Sequence, residues 1–230
     1  MNDESIKYRI KITKDGPYLV SGNVPLSEKY ILPKGRQYEF KEGRRLPQNE
    51  SYALCRCGKS KNAPFCDGTH VKTGFRGEET ASRSKYHERV TLMEGPELDL
   101  LDDGRCAFAR FCHRNGGSAW ELTKDSGEGN NREEAIQAAC GCPSGRLTAA
   151  DKDGNAYEPV LEPSIDIMQD PEKGVSAGIF VKGYIPIESA DGTMYEPRNR
   201  VVLCRCGKSK NKPFCDAEHM VINYFDHSDK

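Results

Sequence analysis

Three cysteines and one histidine recur at a single spacing twice in the chain, as CRCGKSKNAPFCDGTH over residues 55–70 and CRCGKSKNKPFCDAEH over residues 204–219. Each copy reads C-x-C, eight residues, then C-x-x-x-H, so Cys55, Cys57, Cys66 and His70 match Cys204, Cys206, Cys215 and His219. Thiolates with one imidazole suit zinc as well as iron–sulfur, so the chemistry is metal binding and the metal stays open at this point. A tight turn at Gly58 or Gly207 can bring both C-x-C thiols to one side. Cys66 and His70, like Cys215 and His219, are four residues apart and would share a face on one helical turn. Asp67 and Asp216 fall where a carboxylate can cap such a turn, and Pro64 and Pro213 stiffen the approach. The pattern describes a compact four-ligand pocket made by one continuous segment.

Cys106, Cys112, Cys140 and Cys142 form a third group, and the three groups use all ten cysteines of the chain. The third group reads C-x5-C and then CGCPSG, and a cysteine followed by proline closes many ferredoxin-type clusters. A zinc site or free thiols are the other readings of these four cysteines.

The elements that position these residues also repeat. YLVSGNVPL (18–26) returns as IFVKGYIPI (179–187), alternating segments that predict strands with a bulge or close approach at Gly22 and Gly183. Each then reaches a short apolar run, YALCRC or VVLCRC, and its cysteine motif. Between the copies, residues 132–139 have helical composition, opening behind Asn130 and Asn131 and stopping at Gly141 and Pro143. VLEPSIDIMQDPEKG reads as a strand or linker into the second copy, DDG (102–104) and ADG (190–192) are turns, and the tail FDHSDK is expected to fray.

Composition agrees with small, stapled units. Of 230 residues, 36% are hydrophobic and 30% charged, with 22 Gly and 13 Pro, and mean hydropathy is −0.74. A chain of this kind needs metals or disulfides to hold its small cores. MNDESIKYRIKITKDG has no apolar leader core, and no run approaches the roughly 20 apolar residues that span a bilayer. The expectation is a soluble cytoplasmic protein with reduced thiols. A net charge of −1 without a basic block predicts no nucleic-acid and no membrane partner.

CRCGKSKNAPFCDGTH resembles, position by position, the CDGSH iron–sulfur domain of the mitoNEET type: C-x-C, Ser60, Pro64, then Cys-Asp-Gly-Thr-His. The resemblance implies a 2Fe-2S cluster on Cys55, Cys57, Cys66 and His70, and a second on Cys204, Cys206, Cys215 and His219. The second copy departs at Ala217 and Glu218, neither of them a ligand position. Glu218 is either a solvated residue or one that favours the protonated histidine beside it. The middle segment resembles a divergent single-cluster ferredoxin domain, which implies ligation by Cys106, Cys112 and Cys142. The usual middle cysteine is missing, leaving a 3Fe-4S cluster, or a 4Fe-4S cluster whose fourth ligand is Cys140 or, less directly, His113. Family members pair as homodimers beneath exchanged strands, so the resemblance implies an intramolecular pseudo-dimer with a β-cap, and a monomer. The expected fold is α+β, strand-rich and loop-rich, with domains at 1–80, 81–160 and 161–230, the middle one a ferredoxin-like insert.

No phosphate loop, catalytic triad or flavin fingerprint is present in the sequence, so it predicts no enzyme. Three functions follow from these readings: a single-electron carrier serving redox partner proteins, a protein that stores, transfers or senses clusters and serves apo acceptors, or a zinc-bound interaction module. Lys59 and Lys208 read as solvated lysines, Trp120 as core of the insert, and His87 and His227 as exposed histidines.

Overall fold

The computed structural model describes residues 8–226, and His227 with the end of the tail lies outside the described residues. The first repeat supplies β1 (Arg9–Ile12), β2 (Tyr18–Ser21), β3 (Leu26–Lys34), β4 (Gln37–Arg45), β5 (Ser51–Leu54) and α1 (Thr69–Lys72). The middle segment supplies α2 (Tyr86–Arg89), β6 (Thr91–Glu94), β7 (Asp99–Asp102), β8 (His113–Arg114), β9 (Gly117–Ser118), α3 (Ala119–Lys124), α4 (Asn131–Gly141), β10 (Leu147–Ala150) and β11 (Ala156–Tyr157). The second repeat supplies β12 (Ser164–Asp170), β13 (Val175–Lys182), β14 (Ile187–Glu188), β15 (Arg200–Leu203) and α5 (Glu218–Val221). The architecture is α+β and strand-rich.

The repeats do not form separate sheets. One sheet runs β14-β1-β2-β5 and another β15-β13-β12-β3-β4. β14 lies parallel to β1, with Ile187 opposite Ile10, and β3 lies parallel to β12, with Leu26 opposite Ile165. Each repeat therefore completes the other's sheet. The segments around Gly22 and Gly183, expected to hold a bulge or a close approach, are corners between two strands: Gly22 and Asn23 have φ of 96° and 61°, Gly183 and Tyr184 have φ of 71° and 59°, and Gly183 does come close to backbone, a Cβ there standing 2.6 Å from the Pro163 nitrogen. The paired left-handed residues redirect the chain out of β2 and β13 and across to the opposite sheet.

Inward residues of both sheets share one core. Ile10, Ile12 and Val20 pack there with Ile165, Ile167, Ile179 and Val181, and the alternating burial of β1 follows the pleat. β12 and β13 are buried along almost their whole length, because the other side of this sheet is also covered. Met168 and Phe180 face a second cluster that holds Ile31, Ala107, Ala109 and Cys215.

The middle segment has its own sheet, β11-β10-β7-β6, packed on α3 and α4 through Leu98, Leu100, Leu122 and Ala135. Trp120 lies half-buried against that core and donates from Nε1 to Asp102 (3.3 Å). α4 matches the expected helix and starts after Asn130, whose side chain makes no capping bond. Its far end is capped from outside. Arg200 of β15, 2% exposed, donates to the carbonyls of Ala139 (2.7 Å), Cys140 (2.9 Å) and Cys142 (2.8 Å). It also pairs with Glu158 at 2.7 Å. A guanidinium on the last carbonyls of a helix satisfies acceptors that the helix itself leaves open.

Arg200→Met removes these bonds and leaves Glu158 half-buried without its cation. We expect a loss of about 3–5 kcal/mol in denaturant unfolding, with the middle segment losing hydrogen-exchange protection first.

Candidate metal centres

In both motifs the four residues meet as two pairs. Cys55 and Cys57 Sγ atoms are 3.7 Å apart and Cys66 Sγ is 3.4 Å from His70 Nδ1. The matching distances are 3.6 Å for Cys204 and Cys206, and 3.4 Å for Cys215 and His219. Two thiolates bound at about 2.3 Å to one tetrahedral ion lie about 3.8 Å apart, and a thiolate and imidazole about 3.6 Å. Each pair thus has the bite of one metal ion. Among the described residues no group of three or more His, Cys, Asp or Glu side chains converges on a single ion. Two pairs, each with the bite of one ion, can serve a binuclear cluster with one pair to each metal.

Local structure sets these pairs. Gly58 and Gly207 have φ of 71° and 76° and turn the chain just after C-x-C, as the spacing predicted. The second pair is built differently from the expected shared helical turn. Cys66 and Cys215 precede α1 and α5, and a left-handed residue, Gly68 (φ 82°) or Ala217 (φ 69°), stands between cysteine and helix. Asp67 holds this turn through the N–H groups of Lys61 (2.8 Å) and Thr69 (3.0 Å), and Asp216 through those of Lys210 (2.7 Å) and Glu218 (3.1 Å). The Asp67 carboxyl is accordingly held far below the usual carboxylate range by the N–H groups of Lys61 and Thr69. Ser60 and Ser209 pin the loops to Phe65 and Phe214 carbonyls at 2.6 and 2.7 Å.

One thiol in each motif is drawn toward the thiolate, while burial and neighbouring thiols push the others up. Cys55 is drawn down to about 5 by the Cys57 thiol and by the N–H groups of Ser60 and Gly58, while Cys57 is pushed up. Cys204 is drawn down to about 7 by the same arrangement. Surroundings then separate the two motifs. Cys66 and His70 are half-exposed, whereas Cys215 and His219 are buried. Burial, followed by the charge of Arg205, brings His219 down to about 4. Glu218 is half-buried, with the exposed Lys210 at 3.6 Å. Lys59, Lys208 and His87 are exposed, as expected.

The two C-x-C loops lie against each other. A Cβ on Gly58 would stand 2.4 Å from the Cys206 carbonyl oxygen, and one on Gly207 2.5 Å from that of Cys57. Tyr18 of β2 spans the contact, its hydroxyl donating to the carbonyls of Cys204 (2.8 Å) and Pro213 (3.1 Å). Tyr224 packs on Cys204 and Cys206 from the other direction.

In the middle segment Cys106, Cys112 and Cys142 gather. Cys112 is pushed up to about 11, first by burial and then by the neighbouring Cys142 and Cys106. The loop between Cys106 and Cys112 winds through left-handed Phe108 and Arg110, and the Phe108 N–H donates to Cys106 Sγ at 3.3 Å. Ser144 Oγ lies 3.3 Å from Cys142 Sγ. Cys140 is turned elsewhere: its thiol donates to the Tyr157 carbonyl (3.5 Å), and the charges acting on it are Arg200 and Glu158. It is two residues from Cys142 on the end of a helix, where side chains at i and i+2 diverge. His113 is exposed in the short β8–β9 ladder, opposite Ser118. The group reaches the second motif, since Cys106 also acts on Cys215, and Arg105 covers the Phe214 ring at 4.2 Å.

Sequence reasoning passed over Arg56, Arg205, Arg200 and Tyr18. The signal for the first two was available, because the residue between the cysteines is arginine in both copies. Arg200 and Tyr18 act on partners far along the chain, which no local pattern marks.

Residues 15–71 and 178–220 match the family of iron-binding zinc fingers of the CDGSH type. Residues 93–152 match the family described as a divergent 4Fe-4S mono-cluster. Neither the comparison with curated proteins nor that with solved structures gave a match. These matched regions support an iron–sulfur protein. Two CDGSH-type regions flank a divergent mono-cluster region in the one chain.

Two backbone substitutions test the local geometry. Ala217→Gly relieves a left-handed alanine and is expected to stabilise the chain by about 1 kcal/mol. Gly58→Ala places a methyl against a backbone carbonyl and is expected to destabilise by more than that, both read from urea midpoints.

Proposed function

We propose that the protein is a single-electron carrier holding two 2Fe-2S clusters and a third cluster of 3Fe-4S or 4Fe-4S type. The observation that carries this reading is the continuity of the three ligand groups. The C-x-C loops touch at Gly58 and Gly207, and Cys106 lies within electrostatic reach of both Cys112 and Cys215. Bound iron–sulfur clusters supply one-electron redox chemistry, and their potential follows ligand type, hydrogen bonds and exposure. Cys55, Cys57, Cys66 and His70 would hold the first, Cys204, Cys206, Cys215 and His219 the second, and Cys106, Cys112 and Cys142 the third.

The chain's own groups prepare these sites. N–H groups of Gly58 and Ser60 stabilise thiolate on Cys55, as those of Gly207 and Ser209 do on Cys204. Reciprocal pairing of β3 with β12 and of β14 with β1 supports an intramolecular pseudo-dimer under a cap of exchanged strands. Such a chain works as a monomer and needs no substrate turnover, only redox partner proteins. All ten cysteines are free thiols, in keeping with a reducing, cytoplasmic setting. Among the described residues no helix is long and apolar enough to cross a membrane.

One observation favours a second reading, cluster storage or delivery to apo acceptors. Cys66 and His70 are half-exposed, and a neutral imidazole is the ligand most readily lost.

Iron and sulfide analysis with EPR of reduced and oxidised protein tests the primary reading. We expect iron and sulfide in equal amounts in the two motifs and a third signal from the middle segment; colourless protein containing zinc would refute it. Cys112→Ser should abolish the third signal, whereas Cys140→Ser should leave it intact. His70→Cys adds a thiolate, and should lower one 2Fe-2S potential and make that site resist mild acid. Anaerobic incubation with an apo-ferredoxin separates the two readings, because a carrier keeps its clusters and a donor loses the first.

A further inference from the structure

The two copies differ in how they neutralise the arginine between their first two cysteines. Arg56 is 1% exposed and donates to three carbonyl oxygens, those of Gly16 (2.8 Å), Gly77 (2.8 Å) and Thr13 (2.9 Å). Among the described residues no carboxylate pairs with it. Arg205, 2% exposed, donates likewise to the carbonyls of Ala177 (2.6 Å) and Met168 (2.9 Å). Its remaining donor goes to the Asp226 carboxylate, at the same separation of 21 residues that places Gly77 against Arg56. Ser176 Oγ fixes Asp226 at 3.0 Å. Where the first copy uses a carbonyl, the second uses an anion.

Most of the remaining surroundings point the same way, with one exception. Near His219 the Arg110 cation is matched by Asp170 at 2.6 Å, and Cys106 places a further thiol against Cys215. Lys212, standing where the first copy has Ala63, is the opposing charge, acting on Cys204. Cys215 and His219 are buried, while Cys66 and His70 are half-exposed.

We propose that Arg56, against the Arg205–Asp226 pair, sets the two CDGSH-type sites at different reduction potentials, with the first site the higher. The inference rests on the iron–sulfur reading above. Reduction adds one negative charge to a site. A buried cation with no carboxylate stabilises that charge, a neutral ion pair does so far less, and withdrawal from water opposes it. Both differences favour the first site. An electron delivered by a one-electron donor protein to the middle or second site then settles at the first. With clusters bound, one site would be oxidised as the next is reduced. The half-exposed Cys66 and His70 end is where it leaves for an oxidised partner.

The test is a redox titration of the full chain with dithionite, followed by EPR, on a sample whose iron and sulfide have been counted. Wild type should show two 2Fe-2S midpoints, the higher belonging to the signal that His70→Cys alters. Arg56→Gln should lower that midpoint alone, and Arg56→Lys should restore it. Asp226→Asn should raise the other midpoint, and it carries the test by itself where Arg56→Gln does not fold. Equal midpoints, the reverse order, or loaded variants that keep the wild-type midpoints overturn the proposal. Absence of iron and sulfide overturns the iron–sulfur reading itself, and the count shows this before any titration begins.

Discussion

The backbone contact between the two C-x-C loops is the constraint on which the remaining structure depends. Cys57 and Cys206 carbonyls approach Gly207 and Gly58 so closely that neither position has room for a side chain. Such an approach requires both loops to arrive on rigid supports from opposite sides. β5 and β15 deliver them, and each belongs to a sheet that includes a strand of the other repeat. Tyr18 adds a bond across the contact that neither repeat could make alone. The corners at Asn23 and Tyr184 follow from this, since the chain must leave one sheet to complete the other.

On this nearly symmetric frame the surroundings are unequal. The β3–β4 hairpin is long and sends Ile31, Tyr38 and Phe40 toward the loop carrying Ala107 and Ala109. That loop and the second motif pack into the same cluster, so Cys215 is enclosed while Cys66 is not. Arg200 fastens the arrangement from the other side, because one side chain of β15 ends α4 and thereby fixes the start of the Cys142 loop. The middle segment is thus attached to the second motif by packing and by hydrogen bonds.

Much of the site was legible because its geometry is local. C-x-C followed by glycine, and a cysteine four before a histidine, specify their own pairings within sixteen residues. The inference that Cys66 and His70 share a helical turn reached the correct contact by the wrong route, since a left-handed residue and an aspartate turn make it instead. Cys140 shows the limit of spacing: C-x-C converges on an extended turn, but diverges at a helix end. The strand exchange and the roles of Arg200 and Tyr18 were not legible in physical detail. Their partners lie in distant segments, and the residues themselves look like ordinary strand and surface types until burial is known.

The parallel pairing of β3 with β12 joins positions such as Ser27 and Asp166, 139 residues apart. At synthesis rates of about 5–20 residues per second, β3 leaves the ribosome about 7–28 seconds before its partner exists. The first motif is complete in sequence during that interval but has no wall behind its C-x-C loop. A newly made chain therefore presents three clustered thiols early and closes the enclosure around them last, so its folding demands surroundings that keep thiols reduced from the first motif's emergence to the end of translation.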